Sequence, residues 1–214
     1  MPSSNPSNAA NQQCSKKVRR NKRVTRRGGK KKKECIKMYI KDSFRILHTN
    51  IQSAKYKVDS LSSIVKTLNV DLVTVNESHL RGRDKFELEG FKSFTRNRQN
   101  AAMGGIATCI NNINSVNTLK ISEGKEEEYI VTRHGEFIPP LNVINYYGKQ
   151  ESRQTIDEIN EGWEIVLEEI VNIQTKGENI LLLGDLNCHC GTIIPGNHNK
   201  VSHAGKLLII LLEN

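Results

Sequence analysis

The sequence predicts an α+β domain with polar groups gathered at the strand ends of one rim, and three stretches carry that expectation. The first is Ile180-Leu181-Leu182-Leu183-Gly184-Asp185-Leu186-Asn187, an aliphatic run that stops on a glycine, a carboxylate and an amide. Consecutive aliphatics bounded by turn residues fit a strand covered on both faces, and polar groups just past it sit on rigid backbone yet open to a ligand. The second is a strand, helix, strand succession between Phe44 and His79 with polar residues at both strand exits. The third is the amphipathic run from Gln154 to Ile173, the strongest helix pattern in the chain.

In chain order, residues 1–15 are Ser, Asn, Gln, Pro and Ala with little to bury, and Lys16-Lys17-Val18-Arg19-Arg20 through Lys30-Lys31-Lys32-Lys33 form a basic arm. Such a segment is expected to be disordered alone, so the division is a disordered basic arm over 1–42 and a folded domain over 43–214. Phe44 to Asn50 alternates as a strand, and Val58, Leu61, Ile64, Val65 and Leu68 recur at helical spacing. Val70 to Asn76 is rich in β-branched residues and exits on Glu77, which makes Asn50 and Glu77 neighbours at one sheet rim. Residues 81–100 read as a charged loop with a weak strand near Gly90 to Thr95. Paired Gly104 and Gly105 open another strand, where glycine permits positive φ or close approach of a neighbouring chain segment. Tyr129 to Thr132 and Leu141 to Tyr147 follow as strands. The helix from Gln154 turns Ile156, Ile159, Trp163, Val166, Leu167, Ile170 and Val171 to one side, which places Trp163 in the core, and Gly177 ends it. Leu207, Leu208 and Leu211 read as a last helix, with His203 in the loop before it.

Charge is unevenly distributed. The whole chain carries +9, yet residues 1–41 hold 14 Lys and Arg against the single acid Glu34, so residues 42–214 are net acidic at −4. Clustered Lys and Arg gain affinity by releasing counterions from phosphate, so residues 16–33 are expected to contact nucleic-acid phosphates and to act as a nuclear-import signal. The five cysteines are odd in number and scattered, which argues against a disulfide framework and for reduced thiols in the nucleus, with the cytosol as the alternative. The longest apolar run, Leu207 to Leu212, is too short to span a bilayer, so no membrane partner is expected. Cys188-His189-Cys190 with His198 and His203 is a chemically proper zinc set, but adjacent ligands in that order match none of the common zinc spacings.

Four polar strand exits therefore stand in order: Asn50, Glu77, Tyr147 and the pair Asp185 and Asn187. With Leu47-His48-Thr49-Asn50-Ile51, Asp71 through Leu80, Gly104-Gly105-Ile106-Ala107, Asn145-Tyr146-Tyr147-Gly148 and Gly184-Asp185-Leu186-Asn187, the chain from Phe44 onward resembles the endonuclease/exonuclease/phosphatase superfamily. Among its branches, it most resembles the endonuclease domains of non-LTR retrotransposons. The resemblance implies a four-layer α/β/β/α sandwich and Mg²⁺-dependent hydrolysis of phosphodiester bonds in DNA, with Mn²⁺ as the alternative cation. It implies Glu77 as principal metal ligand with Asn50 beside it, and Asp185 to orient or deprotonate the attacking water. Asn187 would hold the phosphate oxygens and Tyr147 would hydrogen-bond the scissile phosphate or leaving group, with Tyr146 as the alternative tyrosine.

Two departures qualify the expected activity. Gln52 stands where repair relatives carry an acid, and the Ser-Asp-His triplet that ends the family pattern does not occur, Val201-Ser202-His203-Ala204 being the only near match. The expectation is an endonuclease-like domain incomplete at its C-terminus and weak or inactive as a hydrolase. The alternatives are a non-catalytic nucleic-acid-binding remnant and a phosphatase or phospholipase of the same superfamily.

Overall fold

The computed structural model describes residues 43–98, 104–124, 128–193 and 200–213; the expected arm over 1–42 and His198 lie outside them. The first sheet takes β1 (Ile46–Asn50), β2 (Leu72–Asn76), β3 (Phe91–Arg96) and β4 (Ile106–Asn111) in the order β1-β2-β4-β3. The second takes β5 (Thr118–Glu123), β6 (Glu128–His134), β7 (Leu141–Tyr147) and β8 (Asn179–Asp185) in sequence order. Each sheet contains one parallel pair, β1 with β2 and β7 with β8, and each pair is joined by a helix. These helices are α1 (Val58–Leu68) and α2 (Ile156–Gln174), and α3 (His203–Glu213) follows the second sheet. No helix among the described residues is long and apolar enough to cross a membrane.

Strand alternation sorts the side chains into three cores. On the outer face of the first sheet Val73, Val75, Ala107 and Cys109 pack with Leu61 and Val65 of α1. On the outer face of the second, Val131, Ile144 and Tyr146 pack with Ile159, Trp163, Val166 and Ile170 of α2 and with Ala204 and Leu208 of α3. Leu72, Ile110 and Val143 meet between the sheets, joined by Leu181 and Leu183. The expected four-layer α/β/β/α sandwich is therefore the observed one, and Trp163 is core at 1% exposure. Helix α2 starts on a capping box in which Thr155 Oγ1 accepts from Glu158 N at 3.2 Å and Thr155 N donates to Glu158 Oε2 at 2.8 Å.

Two differences from expectation have clear causes. Strand β5 has no counterpart in the sequence pattern, because it buries only Thr118 and exposes Leu119 and Ile121, so its composition carries neither a clean alternation nor an apolar run. His203 opens α3 and its Nε2 lies 2.7 Å from Asn160 Oδ1 on α2, so it is a helical residue and not a loop one.

Gly184 is set by close approach. At φ +145° a Cβ there would collide with the Tyr146 carbonyl on the paired strand β7. Gly184→Ala is expected to cost about 3 kcal/mol, a fall of roughly 6–12 °C in Tm, through a backbone clash added to an unfavourable φ. Thermal unfolding of the variant checks this; a loss below about 1 kcal/mol would show that β7 and β8 separate without cost.

Candidate active site

In a parallel pair joined by a crossover helix both strands end at the same rim, and here two such pairs end together. Asn50 sits opposite Asn76 at the end of β1 and β2, and Tyr147 opposite Asp185 at the end of β7 and β8. The four predicted strand exits consequently converge. Asn50 Nδ2 donates to Glu77 Oε1 at 3.0 Å and to Asp185 Oδ2 at 2.9 Å, so one amide nitrogen ties a carboxylate of the first sheet's rim to a carboxylate of the second's. Tyr147 OH donates to the same Glu77 Oε1 at 2.8 Å. Tyr146 points the other way, buried edge-on against Trp163 with ring centroids 5.6 Å apart, so of the two tyrosines Tyr147 is the one placed at this rim. Asn187 N donates to Asp185 Oδ1 at 3.3 Å, while Asn187 Nδ2 reaches the Gly148 carbonyl at 2.8 Å and braces the loop after β8 against the end of β7.

Beneath this rim is a polar layer between the sheets. Asn76, fully buried, accepts from the Asp185 backbone N–H at 3.0 Å through Oδ1 and approaches Asn145 Oδ1 at 3.4 Å through Nδ2. Asn145, also fully buried, donates through Nδ2 to the Ala107 carbonyl at 2.9 Å. Buried amides cost stability unless satisfied, and these two fix the register of one sheet on the other directly under Asp185. Backbone strain gathers in the same place, with Gln52, Ser53, Glu77, His79 and Asn187 all at positive φ between 47° and 88°. Non-glycine residues held there cost about 1–3 kcal/mol each and persist where surrounding structure over-determines them. Loop pairing does so here: Ser53 N donates to the Glu77 carbonyl at 2.8 Å and Ser78 N to the Gly105 carbonyl at 2.9 Å.

The electrostatics follow from the contacts. Burial pushes the Glu77 carboxyl up, but hydrogen bonds from Asn50 and Tyr147 with the charges of His79 and Arg153 outweigh it and hold Glu77 below the usual carboxylate value. Burial, then donation to Glu77, raises the Tyr147 hydroxyl, so it stays a protonated donor. Burial lowers His48, partly offset by the charge of Asp185.

No protein-family model matches the chain, and no curated protein does. Solved structures do. The 3′ phosphatase NExo from Neisseria, bound to product DNA hairpin, superposes with a TM-score of 0.61 at 15% identity, over 80% of this chain and 71% of that one. An AP endonuclease from Archaeoglobus fulgidus gives 0.59 at 17% identity over 80% and 70%. The endonuclease domain of TRAS1, a telomere-specific non-LTR retrotransposon, gives 0.56 at 16% identity over 80% and 70%. The chain has the endonuclease/exonuclease/phosphatase fold. At these identities the likeness is one of architecture, and what the rim does in this chain is read from its own side chains.

For a divalent cation the fit is partial but chemically sound. Among the described residues no three His, Cys, Asp or Glu side chains converge on one point. Mg²⁺ does not need that, since it is commonly held by one or two carboxylates and retained waters. Glu77 and Asp185, linked through a single amide nitrogen, supply hard oxygen donors of that kind. For Asn50 to act as an oxygen ligand it must present Oδ1, which here accepts from Gln52 N at 3.3 Å. The cysteines beyond the rim are arranged differently: Cys188 and Cys190 bring their sulfurs to 4.0 Å, and burial pushes the Cys188 thiol up to about 12.

Sequence reasoning missed four residues of this neighbourhood. Asn76 precedes Glu77 and Asn145 stands two residues before Tyr147, both inside quoted motifs but given no role there, and their inward alternation was the available signal. Arg98 and Glu128 pair across 30 residues of chain, and no local pattern announces that.

Proposed function

We propose that this chain is a metal-dependent phosphodiester hydrolase acting on DNA. The observation that carries the reading is the Asn50 bridge: two carboxylates from two sheets brought to one amide nitrogen at an open rim, with a tyrosine hydroxyl on one of them. A Mg²⁺ ion held by Glu77 with Asn50 beside it, or Mn²⁺ in its place, would supply charge neutralisation at the non-bridging phosphate oxygens. Asp185 takes the role of orienting and deprotonating water. Each of its oxygens accepts one protein hydrogen bond and keeps acceptor capacity for a water proton. Asn187 uses one amide hydrogen on Gly148 and has a second for a phosphate oxygen. Tyr147, kept protonated, has a single hydrogen, which it would turn from Glu77 to the phosphate or the leaving oxygen. In this reading the basic residues 16–33 supply sequence-independent phosphate contacts and the address for the nucleus.

Supercoiled plasmid incubated with the full chain in excess, with Mg²⁺ or with chelator, tests the proposal. Slow nicking in Mg²⁺ alone, visible because the chain is in excess, is the expected result, in keeping with the weak hydrolysis expected where the Ser-Asp-His triplet does not occur. Release of phosphate from inositol phosphates or phospholipid with the plasmid untouched would move the reading to another branch of the fold. DNA binding without any hydrolysis in either cation would make the chain a non-catalytic binding remnant.

A further inference from the structure

The cleft flanking Glu77 and Tyr147 is lined by three cations to which the hydrolysis above assigns no contact with DNA: Arg98, Lys149 and Arg153. Arg98 is built into place. Glu128, 5% exposed at the start of β6, accepts from the Gly105 backbone N–H at 2.5 Å and from Arg98 Nε, and the Arg98 guanidinium lies 5.9 Å from the centre of the Tyr147 ring. A buried carboxylate is costly unless paired and hydrogen-bonded, so this one anchors the arginine beside the site. Gly104 belongs to the same device: at φ +90°, a Cβ there would collide with both Arg98 and Glu128. Lys149 and Arg153 follow Tyr147 on the loop leading to α2, and Arg153 is near enough to act on Glu77 through its charge. Residues 42–214 carry net negative charge, so three cations meeting at one cleft are a local arrangement and not the general character of the surface.

Guanidinium groups match phosphate geometry, and with Nε committed to Glu128 the terminal nitrogens of Arg98 remain the part of the fork suited to phosphate oxygens. We propose that Arg98, Lys149 and Arg153 form an anion subsite that holds a nucleic-acid backbone phosphate next to the one hydrolysed at Glu77 and Asp185. The inference rests on the hydrolase reading above. Its role is positioning: the neighbouring phosphate fixes where the strand lies over the rim, independent of base identity.

The test is the salt dependence of binding by the full chain to a short fluorescent DNA duplex in chelator, where hydrolysis is off. The slope of log Kobs against log salt should fall by about 0.9 for each phosphate that is no longer neutralised. The triple variant Arg98→Gln, Lys149→Gln, Arg153→Gln is expected to lose about one unit of slope and roughly tenfold in affinity at low salt. Lys66→Gln, which removes a cation on α1 that pairs with Glu89 of the turn before β3, should leave the slope unchanged. Because removing Arg98 strips Glu128 of its partner, the double variant Lys149→Gln, Arg153→Gln is measured beside it and should show a smaller loss in the same direction. An unchanged slope in the double variant, melting as the parent does, overturns the subsite. The hydrolase reading fails separately: a slope loss in a chain that never nicks plasmid in Mg²⁺ removes the chemistry and leaves the subsite, whereas nicking with an unchanged slope does the reverse.

Discussion

Glu77→Gln is expected to abolish the rise in Tm on adding Mg²⁺ and to lower plasmid nicking by about 10²- to 10⁴-fold. A ligand bound only by the folded state stabilises it by mass action, about 2.7 kcal/mol at a hundred times its Kd, which for a domain of this size is roughly 5–10 °C. Glutamine keeps the shape and one acceptor for Asn50 and Tyr147, so the fold stays and only the charge that attracts a cation goes. The acid limb gives an independent check. Glu77 is held below its ordinary value of about 4.5, so in chelator its carboxylate contributes stability above that pH and loses it as pH falls through the lower folded value. The Tm difference between parent and variant should therefore be present at neutral pH and close at strongly acid pH. A full Mg²⁺ shift in the variant would place the cation elsewhere and remove Glu77 from the metal set.

What made this rim legible in the sequence was the abrupt change from apolar to polar at strand ends. Leu182 and Leu183 give way to Gly184 and Asp185, and Val75 gives way to Asn76 and Glu77, so both the strand and the place where it stops are written locally. The helices were legible for the same reason, since Leu61 and Val65 or Ile159, Trp163, Val166 and Ile170 declare a buried stripe at helical spacing. What stayed hidden depends on contacts between distant segments. The Asn76 and Asn145 layer exists only once the two sheets face each other, and the Arg98 and Glu128 pair only once β6 lies beside the strand led by Gly104 and Gly105. A buried amide in a strand and a surface-type arginine in a charged loop look unremarkable until the fold supplies their partners.

Asp185→Asn should separate proton transfer from metal binding. The substitution is close to isosteric and leaves the Asp185 backbone N–H on Asn76 undisturbed, so the polar layer under the rim should hold. Nicking should fall by about 10²- to 10⁴-fold, the usual worth of a positioned general base, because an amide cannot take a proton from water at neutral pH. If Glu77 is the principal ligand, the Mg²⁺ shift in Tm should survive at reduced size, and DNA affinity in chelator should match or exceed the parent's, since a negative charge beside the phosphate path has gone. The pairing of readouts decides the assignment. Lost nicking with a surviving shift makes Asp185 the base, whereas complete loss of both makes it a metal ligand equal to Glu77. Undiminished nicking would remove Asp185 from the chemistry altogether and leave the Asn50 bridge as a purely structural tie between the two sheets.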